Sequence, residues 1–176
     1  MQGNRFSLCA LILTALLCFL TSSPSRASSP LTITTFNDCF VRAGIRYQIE
    51  PLLLRAIAIG ESSMDPVITN TNRDKKGRPV STDYGLMQIN STHIPKLVRM
   101  EVIRGADDLL TRPCLNIQIG AWILARHFQV CGVTWNCLGS YNAGFRKDRH
   151  ETREHYANRI WRIYSRLKGL PAVQGR

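Results

Sequence analysis
Between Leu52 and Ile59 only Arg55 interrupts a run of leucine, isoleucine and alanine. A helix apolar on nearly every side has no face for water, so other elements must wrap it. Glu50-Pro51 opens this helix, since proline at the first helical position lacks an N–H that would have no helical partner anyway. The helix is expected to end at Gly60-Glu61-Ser62-Ser63. A chain organised around such a segment is a packed globule, and a content of 20% charged and 44% hydrophobic residues agrees.

The rest of the chain reads as further helices and one polar stretch. A short helix is expected from Asn37 through Cys39, Phe40 and Ala43, and another from Pro95 to Ile103. Leu115, Ile119, Trp122, Ile123 and Phe128 recur at helical spacing, and Gly132 is placed to stop that helix. Thr134 is placed to cap a helix through Trp135, Leu138 and Tyr141 that ends at Ala143-Gly144. The last helix sets Tyr156, Ile160, Ile163, Tyr164 and Leu167 on one face and Arg159, Arg162 and Arg166 on another. Residues 64–82 carry Pro66, Asn70, Asn72, Asp74, Gly77 and Pro79, which predicts a loop with turns or a small hairpin. No internal repeat and no long strand stands out. The expected fold is mainly α (α+β), a single domain over residues 37–168 with a small loop or β insertion and a tail at 169–176.

The first residues read as an export signal. Arg5 precedes an apolar run from Leu8 to Leu20, and Ser25-Arg26-Ala27 forms a small-x-small end. A membrane span needs about 20 apolar residues, so a cleaved signal peptide over 1–27 is preferred to an uncleaved anchor. A Ser/Thr-rich leader follows at 28–36. Cleavage leaves 149 residues, the size of one domain, and removes Arg5 and Arg26, which lowers the net charge from +11 to +9. No second long apolar run follows, so no membrane span is expected after processing.

Cys9 and Cys18 leave with the signal, and Cys39, Cys114, Cys131 and Cys137 remain. An even number in an oxidising compartment predicts disulfides, with three pairings open. The six-residue separation of Cys131 and Cys137 suits a small closed loop, which would leave Cys39 for Cys114. A metal site is not expected, because there is no Cys-x-x-Cys and no histidine at ligand spacing. The positive charge favours a polyanionic partner: nucleic acid, a membrane surface or cell wall. Export argues against nucleic acid, as does the lack of aromatic residues interleaved with the basic run.

Few residues can carry chemistry. Glu61 sits at the C-terminal end of the apolar helix, where low dielectric and the helix dipole both disfavour a carboxylate. A carboxyl kept protonated near neutral pH suits a general acid, whereas an ordinary helix-end glutamate would be solvated. Ser81-Thr82-Asp83-Tyr84-Gly85-Leu86-Met87-Gln88-Ile89-Asn90 brings a carboxylate, a phenol and two amides beside a glycine. Such amides can read sugar hydroxyl and acetamido groups; alternatively the string is the packed edge of a turn. Ser140-Tyr141-Asn142-Ala143-Gly144 is a third polar cluster, at a helix end. His93, His127, His150 and His155 form no His-x-x-x-His pair, and neither a phosphate-binding glycine loop nor a Gly-x-Ser-x-Gly turn is present.

In order, Glu61-Ser62-Ser63 with Asp65-Pro66, Gly85-Leu86-Met87-Gln88-Ile89, Tyr141-Asn142-Ala143-Gly144 and Tyr156 resemble the soluble lytic transglycosylase catalytic domain over roughly residues 37–168. The small size and Cys114-Leu115-Asn116-Ile117 resemble the single-domain IpgF/IagB type that accompanies type III secretion, conjugation and pilus machines. The resemblance implies a lysozyme-like fold, a periplasmic location and a monomer without cofactor. Its partners would be peptidoglycan glycan strands and a component of an envelope-spanning apparatus. Glu61 matches the family's sole catalytic acid, which cleaves the MurNAc-β-1,4-GlcNAc bond and leaves a 1,6-anhydro product. Ser62, Ser63, Met87, Gln88, Tyr141 and Asn142 match positions lining the sugar subsites, with the Asn90 amide beside them. Tyr156 matches a tyrosine next to the glutamate.

Two departures stand out. Asp83 has no counterpart in typical members, and the strand around it is similar to the one carrying the second carboxylate of c-type lysozymes. Asp83 is therefore a second candidate catalytic residue, and hydrolysis is an alternative outcome. Glu151 and Glu154 precede Tyr156 at other spacings than the family's tail glutamate, so neither is assigned a role. A non-catalytic wall-binding assembly factor is the remaining alternative; an intact Glu61 argues against it.

Overall fold
The computed structural model describes residues 36–170. The expected signal segment, nearly all of the leader and most of the tail lie outside them. Seven helices and three short strands are described: α1 (Asn37–Tyr47), α2 (Pro51–Ser62), β1 (Thr69–Arg73), β2 (Pro79–Tyr84), β3 (Ile89–Asn90), α3 (Ile94–Arg99), α4 (Asp108–Thr111), α5 (Pro113–Cys131), α6 (Trp135–Ala143) and α7 (His150–Leu167). Among the described residues no helix is long and apolar enough to cross a membrane.

Packing of α2 follows its sequence. Leu54, Ala56, Ile57 and Ala58 are fully buried, wrapped by α1 and α7. Burial is less complete than an all-round apolar run predicts, since Leu52, Leu53 and Ile59 are only half-buried. The longest helix, α5, packs against α1, α4 and α6. Its expected stripe is only part of its buried surface: Leu115, Trp122 and Phe128 are half-buried, while Asn116, Ile117, Gly120, Ala121 and Leu124 are buried beside Ile119 and Ile123.

Thr134 caps α6 as expected, its Oγ1 accepting the Cys137 N–H at 3.1 Å. On α7, Tyr156, Ile160 and Tyr164 are buried with Ala157 and Ser165, but Leu167 is exposed where the face was expected to continue. The helix expected over Pro95–Ile103 ends at Arg99, where the chain turns through a left-handed Glu101. The four-residue α4 had no sequence signal, being too short for helical periodicity to register.

The polar stretch folds as an antiparallel sheet in the order β1-β2-β3. Its register pairs Asn70 with Asp83, Asn72 with Ser81, and Asp83 with Asn90. Asp74 closes the β1–β2 turn by accepting the Lys76 and Arg78 N–H groups at 2.8 and 3.0 Å. Following β2, the turn Gly85-Leu86-Met87-Gln88 dives into the core, with Leu86 and Met87 fully buried.

Two disulfides tie the helices. Cys39–Cys114 joins α1 to α5 across 75 residues, and Cys131–Cys137 joins α5 to α6 across six. Loop-closure entropy makes the longer cross-link the stronger, about 4 against about 2 kcal/mol. Replacing Cys39 and Cys114 by serine should therefore lower unfolding free energy about twice as much as replacing Cys131 and Cys137. Urea titration of the two double variants measures the difference.

Candidate active site
Glu61 occupies the last turn of α2, and its side chain keeps only 12% of its surface exposed. The Tyr156 hydroxyl of α7 donates to its Oε1 at 2.5 Å. Arg159, one turn further along α7, places Nη2 3.8 Å from the same oxygen, donates from Nη1 to the Gly60 carbonyl at 2.9 Å and lies over the Tyr156 ring. Burial is the largest influence on the Glu61 carboxyl and raises its pKa. The Tyr156 hydrogen bond and the Arg159 charge pull it down, the Asp83 charge pushes it up, and the net direction is upward.

Facing Glu61 across a cleft of about 300 Å³ is the sheet. Its walls include Asn72, Ser81, Asp83, Gln88, Asn90, Tyr141 and Asn142. Asp83 is gripped from both sides: Asn90 Nδ2 donates to Oδ1 and Asn72 Nδ2 to Oδ2, each at 2.7 Å. Ser81 Oγ accepts from both amides, at 3.0 and 3.1 Å. The strands impose this, because residues two apart on a strand share a face and the register lays Asn72, Ser81, Asp83 and Asn90 side by side. Asn72 and Ser81 were not assigned a site role from sequence. The alternation of Asn70 and Asn72 along β1 was the available signal, but it becomes informative only once the register is known.

The amides and hydroxyls of the motifs divide into two groups. Asn142 is exposed on the cleft with an open amide face, and Asn90 holds Asp83 while its Oδ1 accepts the Thr92 N–H. Gln88 borders the cleft, but its own amide is committed. Oε1 accepts from Asn70 at 2.6 Å, and Nε2 donates to the Gly85 carbonyl at 2.8 Å. Tyr141 donates to the Met87 carbonyl at 2.9 Å. Burial, and then the Glu61 and Asp83 charges, hold the Tyr141 hydroxyl well above the usual phenol range, so it stays a donor. Burial, and then the Glu61 charge and hydrogen bond, do the same to the Tyr156 hydroxyl.

Met87 and Ser62 sit away from the cleft. The Met87 side chain is fully buried against α5, where a Cβ on Gly120 would come within 2.7 Å of it. Ser62 is also buried, its Oγ within 3.0 Å of the Ala58 carbonyl and 2.9 Å of the Leu86 carbonyl. Both residues fasten the Gly85–Gln88 turn rather than present a side chain to a ligand. Ser63 is exposed and takes the left-handed conformation that ends α2.

A buried amide outside the assigned set organises this turn. Asn116 of α5 accepts the Met87 N–H at 2.8 Å and donates to the Tyr84 and Leu109 carbonyls at 2.8 and 3.0 Å. Gly85 is left-handed, and a Cβ there would meet Asn116 Nδ2 at 2.6 Å and the Leu109 carbonyl at 2.7 Å. Glycine is required both for the backbone conformation and for the approach. Among the described residues no group of three or more His, Cys, Asp and Glu is placed to hold a metal ion.

A family model described as Transglycosylase SLT domain matches residues 38–164. A peptidoglycan-binding-like protein of Escherichia coli O157:H7 is 51% identical over 132 residues, covering 75% of this chain and 79% of that protein. Invasion protein IagB of Salmonella typhimurium strain SL1344 is 41% identical over 141 residues, covering 80% and 84%. Among solved structures, an inactive mutant of lytic transglycosylase Slt from Pseudomonas aeruginosa matches with a TM-score of 0.52 at 21% identity. That match covers 81% of this chain and 25% of the other, and it speaks for the fold alone.

Proposed function
The chain belongs to the transglycosylase SLT-domain family, and from that premise we propose that it cleaves the MurNAc-β-1,4-GlcNAc bond of peptidoglycan with Glu61 as acid and then base. Its fold is the mainly α, lysozyme-like one expected from the sequence, with the three-stranded sheet as the insertion.

The observation that carries the proposal is a buried glutamate, its pKa raised by burial, opening on an amide-lined cleft. Protonated Glu61 gives its proton to the glycosidic oxygen as the C1–O bond breaks. Tyr156 occupies Oε1, which leaves Oε2 to carry that proton. The Glu61 carboxylate then takes the proton of the muramoyl C6 hydroxyl, which closes on C1. The product is a 1,6-anhydro end, and no water is consumed.

Asp83 lines the same cleft and its charge acts on the Glu61 carboxyl, which favours a part in the reaction over a merely structural one. We assign it to electrostatic stabilisation of the oxocarbenium charge. The competing reading is lysozyme-type hydrolysis, in which Asp83 supports attack by water or attacks itself. Muropeptide mass analysis separates the two. Anhydro ends released by wild type support the transglycosylase; ends one water heavier overturn it in favour of the muramidase. Asp83→Asn should slow release about 100-fold without changing the product. Absence of any release from purified wall favours the assembly-factor reading.

In the cell this reaction would open the wall locally for an envelope-spanning secretion or conjugation machine. Similarity to an invasion protein supports that role. The export signal expected at residues 1–27 would deliver the chain to the periplasm.

A further inference from the structure
We infer that Arg159 is a positioning residue, placed to hold the Glu61 carboxylate once its proton has gone to the leaving oxygen; the inference rests on the proposed activity. The two halves of that reaction make opposite demands. Glu61 must first keep a proton, and must then persist as a carboxylate until the C6 hydroxyl gives one back. Burial serves the first demand and works against the second, since the Glu61 side chain keeps only 12% of its surface exposed. The titratable groups that face it are Tyr156 and Arg159 of α7, Asp83 of β2 and Tyr141 of α6. Of these four Arg159 is the one cation, while Asp83 adds a negative charge across the cleft. Without that cation the carboxylate would have to form, mostly buried, opposite a like charge.

The geometry separates charge from hydrogen bonding. Tyr156 donates to Oε1 at 2.5 Å, whereas Arg159 Nη2 stands 3.8 Å from the same oxygen, outside hydrogen-bond range. Arg159 therefore acts on the carboxylate through its charge and leaves Oε2 to exchange the proton. A guanidinium stays protonated at every working pH, so it does not compete as the acid. Contacts on either side fix its place. Nη1 donates to the carbonyl of Gly60, the residue before Glu61, at 2.9 Å, and the guanidinium carbon lies 5.1 Å from the centre of the Tyr156 ring. Tyr156 and Arg159 are three residues apart and so share a face of α7. Glycine at position 60 lets α2 approach α7 here, where a Cβ would meet Ile160 Cδ1 at 2.6 Å. Gly60 lies in the last turn of α2, where carbonyls run out of helical partners and a cation is favoured. Arg159 is not among the residues lining the cleft, so its effect on the reaction passes through Glu61.

The test compares wild type with two neutral variants, Arg159→Gln and Arg159→Met, and with the charge-keeping Arg159→Lys. Methionine keeps packing on the Tyr156 ring, so one neutral variant serves if the other fails to fold. First, the Glu61 carboxyl is titrated by carbon-13 NMR and assigned by its absence in Glu61→Gln. A nearby opposite charge moves a carboxyl titration by about one to three pH units, and the 41% of the Arg159 side chain left in solvent puts the effect at the low end. The midpoint should rise by about one pH unit in the neutral variants and return close to wild type in Arg159→Lys. One midpoint shared by all four proteins overturns the inference, whether or not the wall is cut. Second, muropeptide release is followed against pH. The rate falls at high pH as Glu61 loses the proton it must donate, so this limb should move up by about one pH unit in the neutral variants. Their kcat at the optimum should drop about tenfold with KM changed less than about twofold, and Arg159→Lys should restore the limb. A drop in kcat with the limb unmoved would overturn the inference and leave Arg159 a brace between α7 and α2. A midpoint that moves as expected while wild type releases nothing supports the hold on the carboxylate and sinks the proposed activity alone.

Discussion
Glu61→Gln is expected to reduce muropeptide release about 1,000-fold or more while leaving the fold intact. General acid–base catalysis by one group is worth about 100- to 10,000-fold, and here one residue is proposed to serve both halves of the reaction. Glutamine preserves shape and can still accept the Tyr156 hydroxyl, so the loss isolates the proton. A second readout comes from stability. The folded-state pKa of Glu61 lies above its unfolded value, chiefly through burial. The folded chain therefore binds the extra proton between those two values, and wild type gains stability as pH falls through the folded pKa toward about 4.3. Glu61→Gln carries no such penalty at high pH. It should be the more stable protein above the folded pKa, with the margin shrinking as pH drops. Thermal melts of both proteins across pH 4–8 would show this, and a margin that widens on acidification would contradict the assigned direction.

Asn116→Ala is expected to be the most damaging polar-to-alanine change away from the cleft. It strands the Met87 N–H and the Tyr84 and Leu109 carbonyls in a region where Asn116 is fully buried. An unsatisfied buried group costs about 1–3 kcal/mol, so the three together cost about 4 kcal/mol after partial relaxation. Activity should fall as well, because the loosened turn carries the carbonyl that positions Tyr141 and the Gln88 amide that braces β1. Asn142→Ala is the contrasting variant. Its side chain is exposed on the cleft, so stability should move by less than about 0.5 kcal/mol while cleavage slows. Urea titration beside a muropeptide assay separates the two amides. Equal stability losses would mean that Asn116 is not the staple its contacts imply.

These amides mark the limit of what the chain's pattern revealed. Gln88, Asn90 and Asn142 lie in polar strings next to glycines, and the family resemblance singled out Met87, Gln88 and Asn142 as subsite residues. In the structure Asn142 opens to the cleft, Gln88 is consumed by its neighbours and Met87 is core. Asn116 lay in view inside an apolar helix without betraying its three bonds, since its partners sit 7 to 32 residues away. The grip on Asp83 was similarly hidden. Asn72 reaches it across 11 residues, and that pairing depends on register, which a turn of uncertain length leaves open.

What the sequence determined by itself was the helical scaffold and the places where α1, α2 and α6 begin, while Glu61 became the residue to watch through the resemblance of the motifs around it to a known family. The helical features follow from local rules: apolar spacing near 3.6 residues, proline at a helix start, threonine at a cap. Tertiary structure alone decided that Tyr156, 95 residues on, supplies the hydroxyl against Glu61, and that Arg159 lies behind it. It also decided which polar groups face the cleft and which hold it open. Those outcomes depend on how α7 crosses α2 and how the sheet meets α5, and no local periodicity encodes the angle or the register of such a meeting.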